Sequence, residues 1–165
     1  MNPPTRRSLN LFGLLCCAGL MGYALYAQAA LKVEPCPLCI FQRLGVTGIG
    51  VLFLMAWLHA PNGWGARAYG VLLALTSLAT MGVAARHVWI QQLPEGAVPS
   101  CGAGLSFMLE EFPLAEVIRK VFTGSGECHA VNWSFLSLAM PTWVLLAAAA
   151  LGALGLYANF DARRR

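Results

Sequence analysis

Residues 34–60 read Glu34-Pro35-Cys36-Pro37-Leu38-Cys39-Ile40-Phe41-Gln42-Arg43 and then, from Leu44 to Ala60, LGVTGIGVLFLMAWLHA. Only His59 could bring a charge to that second part. Three more blocks, Leu9–Ala30, Ala68–Ala85 and Pro141–Phe160, carry no charge at all, and the four blocks are 17 to 22 residues long. Crossing ~30 Å of hydrocarbon takes ~20 apolar residues in a helix. The chain is 58% hydrophobic and 11% charged, whereas soluble domains are about one quarter charged. These features predict an all-α membrane protein, a four-transmembrane-helix bundle in one integral domain spanning 1–165. The expected helices are about 9–30, 40–60, 66–86 and 141–160, with external loops about 31–39 and 87–140.

Four spans put both termini on one side, together with the loop Pro61–Arg67. That side holds Arg6, Arg7, Arg67, Arg163, Arg164 and Arg165 against Asp161. The other holds Lys32, Arg119 and Lys120, with Arg43 and Arg86 near the interface, against six glutamates, Glu34 to Glu127. The positive-inside rule therefore predicts cytoplasmic termini. The net charge of +4 is thus a topology signal rather than a nucleic-acid footprint. Cys36, Cys39, Cys101 and Cys128 then face the oxidising side, where disulfides persist. Cys16 and Cys17 fall within the first span, where a thiol acts as a small hydrophobe.

Between the apolar blocks, Pro35 and Pro37 keep the first helix from running into the second, which is expected to start near Cys39 or Ile40. Gly45, Gly48 and Gly50 on the second helix, Ala66, Gly70 and Ala74 on the third, and Ala148 and Gly152 on the fourth suit close helix contact. In the long external segment, Leu105, Met108, Leu109 and Phe112 recur at helical spacing. Leu114, Val117, Ile118, Val121 and Phe122 continue the pattern after Pro113, with charged residues opposite. This predicts a short amphipathic helix lying in the membrane surface, between two arms that carry Cys101 and Cys128.

The Cys36-Pro37-Leu38-Cys39 pair lacks the following histidine of a haem attachment site. A zinc site of all four outer cysteines would suit structural zinc, although only one pair is closely spaced. Two structural disulfides would also fit. Closing the loop from Cys101 to Cys128 would contribute roughly 3.5 kcal/mol on the chain-entropy model, but joining Cys36 to Cys39 closes almost no loop. A redox role accounts for more. The thiolate is the attacking species, and Cys39 at a helix start would gain from the unpaired amides and dipole there. Arg43, one turn on, brings a positive charge to the same region; an arginine inside a membrane helix is a functional candidate. A lipid-lip pair and a pair on aqueous arms would form two dithiols in series, an electron relay by thiol–disulfide exchange.

Three stretches carry a resemblance to a known family: Cys36-Pro37-Leu38-Cys39-Ile40-Phe41-Gln42-Arg43, Arg86-His87-Val88-Trp89-Ile90-Gln91, and Ser125-Gly126-Glu127-Cys128 followed by Trp133 to Trp143. In this order and on this topology, the chain resembles the disulfide bond formation protein B (DsbB) family. The resemblance implies a bacterial inner-membrane thiol:quinone oxidoreductase that reoxidises the periplasmic dithiol oxidase DsbA and passes electrons to ubiquinone or menaquinone. It implies that Cys101 and Cys128 exchange with the partner, with the mixed disulfide at Cys101. It implies that Cys36 and Cys39 reduce quinone, with Cys39 nearest the ring, and that Arg43, His87 and Met140 line the quinone site. No metal is expected. The vitamin K epoxide reductase family is a rival quinone-linked relay, but its Cys-x-x-Cys follows the loop cysteines in sequence, and here the pair precedes them.

At the N-terminus, Thr5-Arg6-Arg7-Ser8-Leu9 resembles a twin-arginine export signal and Ala27-Gln28-Ala29 a signal-peptidase site. The apolar run exceeds the 7–15 residues of a signal h-region and predicts a retained span. The intact mass of the purified protein is expected to include it; loss of about the first thirty residues would show cleavage instead.

Overall fold

The computed structural model describes residues 5–30, 36–94, 113, 134–135 and 138–160. Four long helices dominate: α1 (Arg6–Ala30), α2 (Pro37–His59), α3 (Trp64–Gln91) and α4 (Met140–Phe160). Each is long and apolar enough to cross a membrane. Two-residue strands β1 (Ser134–Phe135) and β2 (Leu138–Ala139) pair antiparallel just before α4, a detail without a periodic sequence signal. Cys101, Cys128 and the expected interfacial helix lie outside the described residues.

The helices pack in sequence order. α3 meets α4 most extensively, α2 lies against α1 and α3, and α1 closes on α4 more loosely. Between α1 and α4 a hollow of about 600 Å³ is lined by Phe12, Cys16, Leu20, Tyr23, Leu151 and Leu154. The inward residues of α3 are Ala66, Gly70, Leu73, Ser77, Thr80, Ala84, His87 and Ile90. Their steps of four and three residues are the seam of left-handed helix packing. Ala74 is only half-buried, so the expected stripe of small residues turns at Gly70 onto Leu73 and Ser77.

Small residues set the spacing, because apolar side chains gain nothing by leaving lipid for another helix and close packing must do the work. A Cβ at Gly152 would lie 2.9 Å from Cβ of Ser77, and one at Gly155 would lie 2.9 Å from Cβ of Leu73. On α2, a Cβ at Gly45 would overlap the Thr80 side chain, whereas Gly48 leaves ordinary room. Gly50 admits Cys17, whose Cβ is 3.2 Å from the Cβ position there. Cys17 is buried, as a small hydrophobe should be.

Polar contacts mark the two ends of the bundle. At one end Asn159 donates to Oδ1 of Asn10 at 3.2 Å, which brings the start of α1 to the finish of α4. Arg6 donates to the carbonyl of Pro61 at 2.9 Å, and Arg7 lies 5.4 Å from the Trp57 ring centre. The start of α1, the α2–α3 turn and the end of α4 therefore share one end. In that turn Ala60 adopts a left-handed conformation (φ 41°) and returns its amide to Ala56 O at 3.1 Å. The outer surface is apolar. Trp64 and Trp89 are 82% and 62% exposed near opposite ends of α3, as aromatic belts at the two lipid–water boundaries require.

α1 starts at Arg6 and α3 at Trp64, slightly before their expected positions, and two further boundaries that differ bear on the cysteines. α2 begins at Pro37 rather than near Cys39 or Ile40, because proline suits the first helical position and Cys36 caps the helix. α3 runs on to Gln91, so His87 is part of the helix seam rather than of the loop. Gly152→Ala and Gly155→Ala should each destabilise the bundle by about 1–3 kcal/mol through overpacking, lowering the thermal midpoint in detergent. Gly19→Ala and Gly82→Ala, where a Cβ meets nothing within 4 Å, should leave it unchanged or raised. Equal midpoints for the two sets would contradict this packing.

Candidate functional site

The end of the bundle opposite Asn10 and Asn159 is built from the first turn of α2 and the last turns of α3. Cys36 is the N-cap of α2, in extended conformation, and its sulfur accepts the Cys39 amide at 3.4 Å. The helix start therefore serves the Cys36 sulfur directly, whereas the sequence places that benefit on Cys39. With Cys39 three residues on, the two sulfurs face each other at 3.1 Å. Cys36 is 6% exposed, and Cys39 is the more open of the two. Leu38 and Ile90 bury against Cys36, and Phe41, Val83 and Leu93 close around them.

His87 reaches the pair from α3. Its Nε2 is 3.8 Å from Cys36 Sγ and its Nδ1 is 4.0 Å from Cys39 Sγ. The imidazole is 2% exposed. Gln42, 3% exposed, hydrogen-bonds to His87 Nδ1 at 3.0 Å and so fixes the ring plane. The arrangement follows from helix arithmetic. Cys39 and Gln42 are three residues apart on one face of α2, and His87 lies on the four-and-three seam of α3 that this face meets. Sequence reasoning quoted Gln42 inside its motif without giving it a role. The signal was present: an amide inside a membrane helix, one turn from a cysteine, needs a partner.

Arg43 sits one turn beyond Cys39. Its guanidinium donates to Gln28 Oε1 at 2.6 Å and to the Ala24 carbonyl at 3.1 Å, both on α1. It therefore fastens α1 to α2 just inside the sulfur-bearing end. Met140 opens α4 and is half-buried. Thus Cys36, Cys39 and His87 come together with Gln42. Arg43 lies beside them along α2, bonded to α1. Of the expected site, Cys101 and Cys128 fall outside the described residues.

Two thiols in near contact can close to a disulfide with little movement, and an imidazole beside both can take or return a proton. The side chains packed around the pair are apolar. This is the chemistry of a reversible dithiol at a membrane lip.

Comparison with known proteins agrees. Residues 6–158 match the family model described as "Disulfide bond formation protein DsbB". A protein called "Disulfide bond formation protein B" in Xanthomonas campestris pv. campestris (strain 8004) is 48% identical over 158 residues, 95% of this chain and 92% of that one. One so named in Nitrosococcus oceani is 48% identical over 151 residues, 92% of this chain and 89% of that one. Another in Methylococcus capsulatus is 43% identical over 164 residues, 99% of this chain and all of that one. Four membrane-length helices, a facing thiol pair at one bundle end and a family match across nearly the whole length lead to one conclusion. The chain belongs to the DsbB family of disulfide bond formation proteins.

Proposed function

We propose that the protein reoxidises a periplasmic DsbA-like dithiol oxidase and passes the electrons to membrane quinone, so sustaining disulfide bond formation. Membership of a disulfide-forming oxidoreductase family supports the reaction class. The observation that carries the assignment to quinone is the facing Cys36–Cys39 pair, walled by apolar side chains at the end of two membrane helices, with His87 against both sulfurs. A soluble acceptor would have no reason to meet sulfur there. In this reading the sulfur-bearing end faces the periplasm, and both termini are in the cytoplasm of an inner-membrane, multi-pass protein.

Electrons enter at the outer pair. A thiolate of the reduced partner attacks Cys101 of a Cys101–Cys128 disulfide, forming a mixed disulfide and releasing Cys128 as thiolate. The partner's second thiolate then displaces Cys101, leaving an oxidised partner and two reduced cysteines. The same exchange moves the electron pair on to a Cys36–Cys39 disulfide, whose opening yields the dithiol geometry described above.

The donor set fits a quinone. Phe41 and Val83, half-buried beside the pair, offer an apolar face backed by the fully buried Leu38 and Ile90, His87 and Arg43 offer polar N–H groups, and Met140 adds a soft contact at the start of α4. These are the residues that would hold the ring. A bound quinone supplies an acceptor for two electrons and two protons. The chain does the rest: His87 accepts a proton from the pair, Gln42 keeps the imidazole aimed at the sulfurs, and Cys36 and Cys39 re-form their disulfide across the 3.1 Å gap. Cys39, the more open sulfur, is the one that meets the acceptor. The order of the cysteines and the family match both weigh against a vitamin K epoxide reductase-like protein. A non-catalytic zinc protein or a disulfide-stapled scaffold would show no turnover.

Cys39→Ser should abolish quinol formation while capture of the partner through Cys101 persists; equal quinol formation by wild type and variant would refute the assignment. Arg43→Ala should raise the quinone KM. A KM equal to that of wild type would leave Arg43 as only the tie between α1 and α2.

A further inference from the structure

Cys36 Sγ, Cys39 Sγ and a ring nitrogen of His87 all lie within 4.8 Å of one another. A tetrahedral ion with bonds of about 2.3 Å to sulfur and about 2.0–2.1 Å to nitrogen holds such ligands roughly 3.5–3.8 Å apart. His87 Nε2 is already 3.8 Å from Cys36 Sγ, and the two sulfurs, 3.1 Å apart, need part by only a fraction of an ångström. We propose that the reduced Cys36–Cys39 pair, with His87, is a binding site for a thiophilic divalent cation such as Zn²⁺.

The surroundings favour this class of ion. Two thiolates against apolar walls, Cys36 buried and Cys39 half-buried, would carry an uncompensated charge of two, which burial disfavours. A divalent ion cancels it, whereas a monovalent ion leaves a net negative centre against Leu38 and Ile90. Binding is a plain exchange: two S–H bonds give up two protons, two sulfur–metal bonds form, His87 adds a nitrogen, and nothing is oxidised. Among the described residues no further cysteine, histidine or carboxylate joins the group.

Gln42 completes the arrangement. Its side-chain amide lies 3.0 Å from His87 Nδ1, and a half-turn of that amide presents the oxygen there instead. Nδ1–H then donates to Gln42 Oε1 and the Nε2 lone pair faces Cys36 Sγ, the pattern by which metal-bound histidines are held. The site exists only in the reduced state, since a Cys36–Cys39 disulfide has no thiolate to give. An occupied pair cannot close to a disulfide, so the cation would arrest turnover. That consequence rests on the function proposed above; binding itself does not.

The probe is Cd²⁺, whose bonds to thiolate give an ultraviolet charge-transfer absorbance. It is titrated anaerobically into the detergent-purified, reduced Cys101→Ser/Cys128→Ser chain, freed of reductant. One Cd²⁺ per chain is expected, with the thiolate absorbance, and none on the oxidised chain. Cys39→Ser should lose the site. His87→Gln should weaken it more than about tenfold, and Gln42→Ala about tenfold, at the lower end of outer-shell effects. Helicity by circular dichroism confirms that each variant is folded, and His87→Asn replaces any His87 variant that is not. Failure of the reduced chain to bind, equal binding by the oxidised or Cys39→Ser chain, or undiminished affinity in the folded His87 variant would each overturn the site. Because no quinone or partner is present, such a failure leaves the proposed turnover untouched, and loss of turnover without loss of Cd²⁺ binding would strike only the latter.

Discussion

Hydrocarbon offers no hydrogen-bond partner, and that constraint decides where this chain can keep polar chemistry. Every buried polar side chain among the described residues must be satisfied by a neighbouring helix or its own backbone, or remain an exception. Asn10 and Asn159 satisfy each other at one end. Thr80 returns its hydroxyl to the Thr76 carbonyl at 2.8 Å. The remaining concentration is at the opposite end, where Gln42, His87 and two cysteines share contacts between α2 and α3. Two buried groups among the described residues are exceptions without a hydrogen-bond partner: Arg6 Nε, and the Ser77 hydroxyl, which α4 approaches at Gly152.

Rigid packing makes those contacts reproducible. An imidazole about 4 Å from two sulfurs serves either as base or as ligand only if α2 and α3 keep their register. Gly45 against Thr80, Gly152 against Ser77 and Gly155 against Leu73 each remove the slack a larger residue would need. Arg43, bonded to two groups of α1, holds the third wall. The dithiol end is thus positioned by residues that never touch sulfur, and its chemistry inherits their precision.

Much of this was legible in the sequence, and the residues show why. Spans follow from block length alone, since no soluble core needs four uncharged runs near twenty residues. Cys36 and Cys39 stood out because sulfur at the head of an apolar helix is rare, and His87 entered through its motif. The start of α2 was misplaced by two or three residues because Pro37 reads as a helix breaker unless its neighbour is recognised as the cap. Gln42 stayed without a role because its partner is 45 residues away, on a helix whose register cannot be read from α2. The stripe on α3 was followed through small residues only, so its turn onto Leu73 and Ser77 was missed; buried seams admit leucine and serine as readily as glycine and alanine.

The relay stands or falls on where the electrons go. Purified wild-type protein, mixed anaerobically with a reduced periplasmic dithiol partner and a quinone, reports this directly as quinol absorbance. Quinol appearing in step with partner disulfide, in equal amounts, is the predicted result. Partner oxidation without quinol, or no reaction of either, would contradict it.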